Sequence, residues 1–166
     1  ETESLSLLNV DEIPEDADAL LIYAPASDIS EEEADLLAAY VEAGGKLLAV
    51  AGPTEDGLPE NLYSLLSTYG VSAQEGIVIE GNAFQSPYVL LPDMADADIT
   101  ASLIEENYMP ILPLAAGLTS TGGTTQATVT ELLTTSDEAF SKVAGYDLTT
   151  YEKEDGDIDG PFALAV

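Results

Sequence analysis

Asp155-Gly156-Asp157-Ile158-Asp159-Gly160 is the stretch whose residue types and spacing come nearest to a cation site. Alternate carboxylates can point at one ion, and a glycine in sixth place permits the sharp turn of a calcium loop. Counted from Asp155, the bidentate acid needed at position twelve falls on Val166, inside the apolar run that begins at Phe162. The segment therefore reads first as a solvated acidic hairpin turn. Calcium held by Asp155, Asp157 and Asp159 is the second reading, and no other cofactor is expected. Asp93, Asp96 and Asp98 form another oxygen-rich group, although Asp98 at the start of a helix before Ile99 and Leu103 explains itself equally well.

Small-molecule chemistry in an open α/β sheet sits at the carboxyl ends of its strands. The corresponding loops are Ala24-Pro25-Ala26-Ser27-Asp28 and Ala51-Gly52-Pro53-Thr54-Glu55. Pro25, Ser27, Pro53 and Thr54 are thus the candidate ligand-binding positions. Neither loop carries a GxGxxG or GxxxxGK[ST] pattern, which argues against dinucleotides and nucleoside triphosphates.

The composition removes whole classes of chemistry. The chain has no Cys, His, Trp or Arg, so thiol chemistry, Ser-His-Asp triads and ordinary zinc sites have no residues to build them. Thirty-two acids face three bases, Lys46, Lys142 and Lys153, for a net charge of -29. Such a surface repels phosphate backbones and anionic headgroups, excluding nucleic acids and direct binding to anionic lipid. Paired carboxylates are unavoidable among so many acids and are no evidence of glycoside hydrolysis by themselves. The 46% apolar content indicates a folded domain with an acidic surface, and one domain over 1–166 is expected. No run reaches the ~20 apolar residues of a membrane span.

The elements that would position these loops follow from periodicity. Ala19 to Ala24 is a continuous apolar run ended by Pro25, as is Lys46 to Ala51 after its lysine, and each reads as a strand buried on both faces. Between them, Ser30 with Glu33 forms a capping box. Ala34, Leu37, Ala38 and Val41 then recur at helical spacing until Gly44-Gly45. Strand, helix and strand imply a right-handed parallel crossover. A second helix over 59–69 (Leu62, Leu65, Leu66, Tyr69), stopped at Gly70, leads to a strand at Ile77-Val78-Ile79 that continues the alternation.

Further strands are expected at 88–91, as an irregular edge at 109–115, at 127–133 and at 162–166, with one more near Leu5 and Leu7. A Ser/Thr/Gly loop spans 119–124. The expected fold is an open, mainly parallel α/β sheet with helices on both faces and a more irregular, β-rich C-terminal part.

Several of these segments carry a resemblance. Asp18-Ala19-Leu20-Leu21-Ile22-Tyr23-Ala24-Pro25, Ser30-Glu31-Glu32-Glu33, and Tyr40 through Gly44-Gly45-Lys46-Leu47-Leu48 resemble the extracytoplasmic domain of gliding-motility-type (GldG-like) auxiliary proteins of ABC transporters. Asn61-Leu62, Tyr69-Gly70-Val71, Ile77-Val78, Tyr88-Val89-Leu90 and the closing Gly160-Pro161-Phe162-Ala163-Leu164-Ala165-Val166 agree with it. The resemblance implies a flavodoxin-like or class I glutamine amidotransferase-like fold with no catalytic residues. It also implies a place on the extracytoplasmic face of the cell membrane, as an excised piece of a protein anchored by helices elsewhere, with the transporter permease and associated subunits as partners. The expected role is a non-enzymatic accessory domain. The alternatives are a stand-alone small-molecule or sugar-binding module and, further off, a carboxylate-dependent hydrolase.

Overall fold

A computed structural model describes residues 2–81, 83–121, 123 and 125–166. Strand β1 (Leu20–Tyr23) is followed by helix α1 (Glu31–Glu42) and strand β2 (Leu47–Val50), and β1 and β2 pair in parallel with Leu20 opposite Leu47. This is the strand-helix-strand unit expected from periodicity. The capping box closes α1: Glu33 N–H donates to Ser30 Oγ at 3.2 Å, and Ser30 N–H donates to Glu33 Oε2 at 2.9 Å. Leu37 is fully buried, a transfer worth about 1.5–3 kcal/mol. At the other end Gly44 takes φ +96°, a left-handed value that favours glycine.

Helix α2 (Glu60–Ser67) packs on α1 and leads through Gly70 to β3 (Val71–Ala73) and β4 (Ile77–Ile79). There the alternation stops. β3 pairs antiparallel with β8 (Leu118–Ser120), and β4 pairs antiparallel with β10 (Phe140–Lys142). In chain order the elements between them are β5 (Val89–Leu90), β6 (Asp93–Met94), α3 (Ala101–Glu105), β7 (Leu112–Pro113) and β9 (Leu133–Thr134). After β10 come β11 (Ile158–Asp159) and β12 (Ala163–Ala165).

Four sheets result. β1-β2 is parallel; the others are antiparallel, with orders β11-β10-β4, β3-β8-β12-β9-β6 and β5-β7. The expected open, mainly parallel sheet of flavodoxin-like or amidotransferase-like type is therefore incorrect. The described residues form a mixed α/β fold with three α-helices, and most of its strand pairs are antiparallel. The physical reason lies in the connection after α2. Only the Thr68-Tyr69-Gly70 turn separates it from β3, and Gly76 then folds the chain straight into β4. A Cβ at Gly76 would lie 2.1 Å from the Lys142 carbonyl oxygen, so a bare glycine lets the turn close against β10.

The core gathers Val78, Leu90, Ala139, Phe162 and Leu164, with Leu112, Ala115, Leu133 and Ile158 packed against them. Phe162 and Leu164 bring the last strand into this core, and β12 lies at the centre of the five-stranded sheet. Elsewhere the expected strands shrink. Residues 127–132 are irregular before β9, the 109–115 edge keeps only β7, and Leu7–Asn9 is a turn of 3-10 helix. Within the 119–124 loop, Gly122 and Thr124 lie outside the described residues.

Candidate functional site

Helix α2 begins after Pro59, whose side chain cannot accept a hydrogen bond, so its first amide groups need an acceptor from elsewhere. Asp28 supplies it from the loop after β1. Its Oδ2 accepts from Asn61 N–H at 2.6 Å, and its Oδ1 accepts from Leu62 N–H at 3.2 Å and from Ile29 N–H at 2.9 Å. The Asn61 side-chain amide donates back to the Ile29 carbonyl at 2.7 Å. A helix N-terminus at the carboxyl end of a strand is a ready anion position. Here the chain's own carboxylate fills it.

The four strand-end candidates differ in their surroundings. Ser27 is exposed and Pro25 half-buried, while Pro53 is buried and its carbonyl accepts the Tyr146 hydroxyl at 3.3 Å. Thr54 and Gly57 exchange backbone hydrogen bonds at 2.8 and 3.1 Å, and the Thr54 hydroxyl donates to the Gly57 carbonyl at 2.9 Å, closing a turn on itself. A groove of about 530 Å³ lies elsewhere, over the five-stranded sheet. Thr119, Glu131, Thr134, Asp137 and Phe162 are among its lining residues.

The acidic turn is organised around an internal cation. Lys142, on β10, has a side chain with no solvent exposure. Its Nζ lies 2.5 Å from Glu154 Oε2 and 3.1 Å from Asp157 Oδ2, and donates to the Glu152 carbonyl at 2.8 Å. Asp157 also accepts the N–H groups of Glu154 and Val143, at 2.8 and 3.2 Å. Asp159 instead pairs with Lys153. Of the three aspartates proposed for calcium, the structure brings Asp157 and Asp159 to different lysines. Among the described residues no group of three or more carboxylates is arranged to hold a metal ion.

These contacts set the charge states. Burial by itself pushes the Lys142 ammonium down, but Glu154 and Asp157 outweigh it and hold the group above its ordinary value. Burial likewise raises the Asp157 carboxyl. The Glu154 N–H, the Lys142 ammonium and the Val143 N–H together overcome that and keep it below the usual carboxylate range.

Glu80, directly after β4, is a further buried acid, 3% exposed. Its Oε1 accepts the Ser136 N–H at 3.0 Å, while its Oε2 has no hydrogen-bond partner among the described residues.

The whole of residues 1–166 matches the family model described as an ABC-type uncharacterized transport system. The chain belongs to this family. It is an auxiliary domain of an ABC-type transport system. A comparison with curated proteins finds no match. Among solved structures the auxiliary domain is similar to one titled "mmIFT52 N-terminal domain", with a TM-score of 0.55 and 17% identity. The likeness covers 74% of this chain and 54% of that one, so the chain spans about half the length of the structure it matches. It is a likeness of fold.

Sequence reasoning overlooked three residues of the auxiliary domain. Asp28 was legible only through the missing N-cap at Pro59, and Lys142 only as one of three cations in an acidic chain, between Ser141 and Val143. Glu80 follows the apolar Ile77-Val78-Ile79 strand and carries no local sign of its burial.

Proposed function

We propose that this auxiliary domain is a non-catalytic docking module, carried on the extracytoplasmic face of the cell membrane and bound to the permease or an associated subunit of its transport system. The observation that carries this reading is the internal use of its best-placed ionic groups. Asp28 occupies the anion position at α2, and Lys142 occupies the middle of the acidic turn. Groups so committed hold loops in place and do not stand free as acids or bases. Among the described residues no helix is long and apolar enough to cross a membrane.

Co-expression with the permease and ATPase subunits of the same transport system, followed by detergent extraction and size-exclusion chromatography, tests the reading. Stoichiometric co-elution is expected. Elution of the domain alone, with the transporter intact, would overturn it. The groove over the five-stranded sheet favours a second reading, binding of a small polyhydroxylated molecule by Thr119, Thr134 and Asp137. A thermal midpoint that rises with a panel of neutral sugars would select it.

A further inference from the structure

The continuous apolar strands β1 and β2 have the composition of strands covered on both sides, yet only one side is covered. Leu20, Ile22, Leu47 and Ala49 are partly buried, while their alternates are exposed: Leu21 at 58%, Tyr23 at 73%, Leu48 at 61% and Val50 at 43%. The parallel register sets Leu21 beside Leu48 and Tyr23 beside Val50 on the same face. Because β1 and β2 form a two-stranded sheet, their outer edges have no strand partner among the described residues. A contiguous apolar patch of this kind marks an interaction surface.

Charge selects the occupant. Lys46 is the sole cation in the first 141 residues, and acids flank both ends of the strands at Asp16, Asp18, Glu55 and Asp56. A second copy, itself of net charge -29, would repel the first, and an anionic bilayer would be repelled likewise. Complementarity instead calls for an apolar centre rimmed by lysine and arginine.

We infer that the face formed by Leu21, Tyr23, Leu48 and Val50 is a docking surface for a polypeptide partner with an apolar, basic-rimmed surface. This names the contact surface of the docking module and rests on that reading. The open strand edges offer the partner main-chain hydrogen bonds in addition to the side-chain contact.

The probe is an amphipathic peptide of alternating leucine and lysine, titrated into residues 1–166. Saturable binding is expected, weakened at least tenfold by Leu48→Asp and by Tyr23→Asp. Both substitutions make the chain more acidic, so purely electrostatic attraction would strengthen binding or leave it unchanged, and either result would overturn the proposal. Tyr23→Ser, which adds no charge, must also weaken binding, and circular dichroism verifies that each variant is folded. Concentration-dependent self-association abolished by Leu48→Asp would give the face to a second copy. The cysteine-free sequence allows one more readout, in which Leu48→Cys must react freely with a maleimide. Protection of that thiol in the complete gene product without any partner would assign the face to the protein's own chain and overturn the inference. Loss of co-elution with the transporter alone would sink the docking role while these surface readouts stand, so the two fail separately.

Discussion

Lys142 and Glu154 meet at 2.5 Å across the boundary between core and solvent: the lysine side chain is fully enclosed, and the glutamate is more than half exposed. With Asp157 as its second, nearly buried partner, Lys142 ties the acidic turn to β10. Breaking a buried ion pair from one side leaves the other charge uncompensated. Lys142→Met keeps an apolar stem and removes the charge together with its N–H donors, the one to the Glu152 carbonyl included. It should lower Tm by about 10 °C, measured by differential scanning calorimetry.

The same contacts set a pH dependence with a definite sign. A depressed carboxyl gives its full stabilisation above its unfolded value and loses it as pH falls through the lower folded value. For Asp157 the loss belongs to the acid limb, below about pH 4. The raised Lys142 ammonium contributes fully below its unfolded value and loses its share as pH rises through the raised one, above about pH 10. Neutralising other carboxylates relieves repulsion over the same acid range, so the informative quantity is the difference between wild type and Asp157→Asn. That difference should shrink steadily below pH 4 in urea titrations.

Calcium should find its place in the turn already taken. Millimolar calcium, matched in ionic strength by sodium chloride, is expected to leave the midpoint of residues 1–166 unmoved, and EDTA likewise. A calcium-specific rise that Asp157→Ala abolishes would show instead that the ion displaces Lys142.

Asp28 joins the loop after β1 to the start of α2, so its removal should be felt in both. Asp28→Ala is expected to cost about 1 kcal/mol, with Tm lower by roughly 2–4 °C. Asp28→Asn, which retains an acceptor oxygen, should recover most of that. Faster amide exchange at Asn61 and Leu62 in Asp28→Ala would locate the loss.

Glu80 yields an ordering of variants. Alanine leaves the Ser136 N–H unpaired and opens a cavity, a loss of about 2 kcal/mol. Glutamine preserves the acceptor for Ser136 and should cost less than half as much. Equal losses in chemical denaturation would mean that the Ser136 bond contributes little.

What the sequence revealed was local. Ser30 and Glu33 lie three residues apart, and both halves of their cap could be read directly. The β1-α1-β2 unit followed because a short crossover brings consecutive strands together. The antiparallel sheets were hidden because their partners are distant: Val71 pairs with Ser120 and Ile77 with Lys142. Periodicity marks a segment as a strand without naming its neighbour. For the same reason Asp28 read as part of a loop, its partners Asn61 and Leu62 being more than thirty residues away. The acidic turn looked like a cation site because it is one, with the cation supplied by β10.

β12 joins two halves of a sheet whose other strands all precede it in the sequence, pairing with β8 on one side and β9 on the other. A ribosome delivering this chain from its N-terminus must therefore release β3, β8, β9 and β6 before the strand that unites them exists. Until then their edges remain open to wrong neighbours. Chains of net charge -29 repel one another, and that repulsion opposes such wrong pairing between copies.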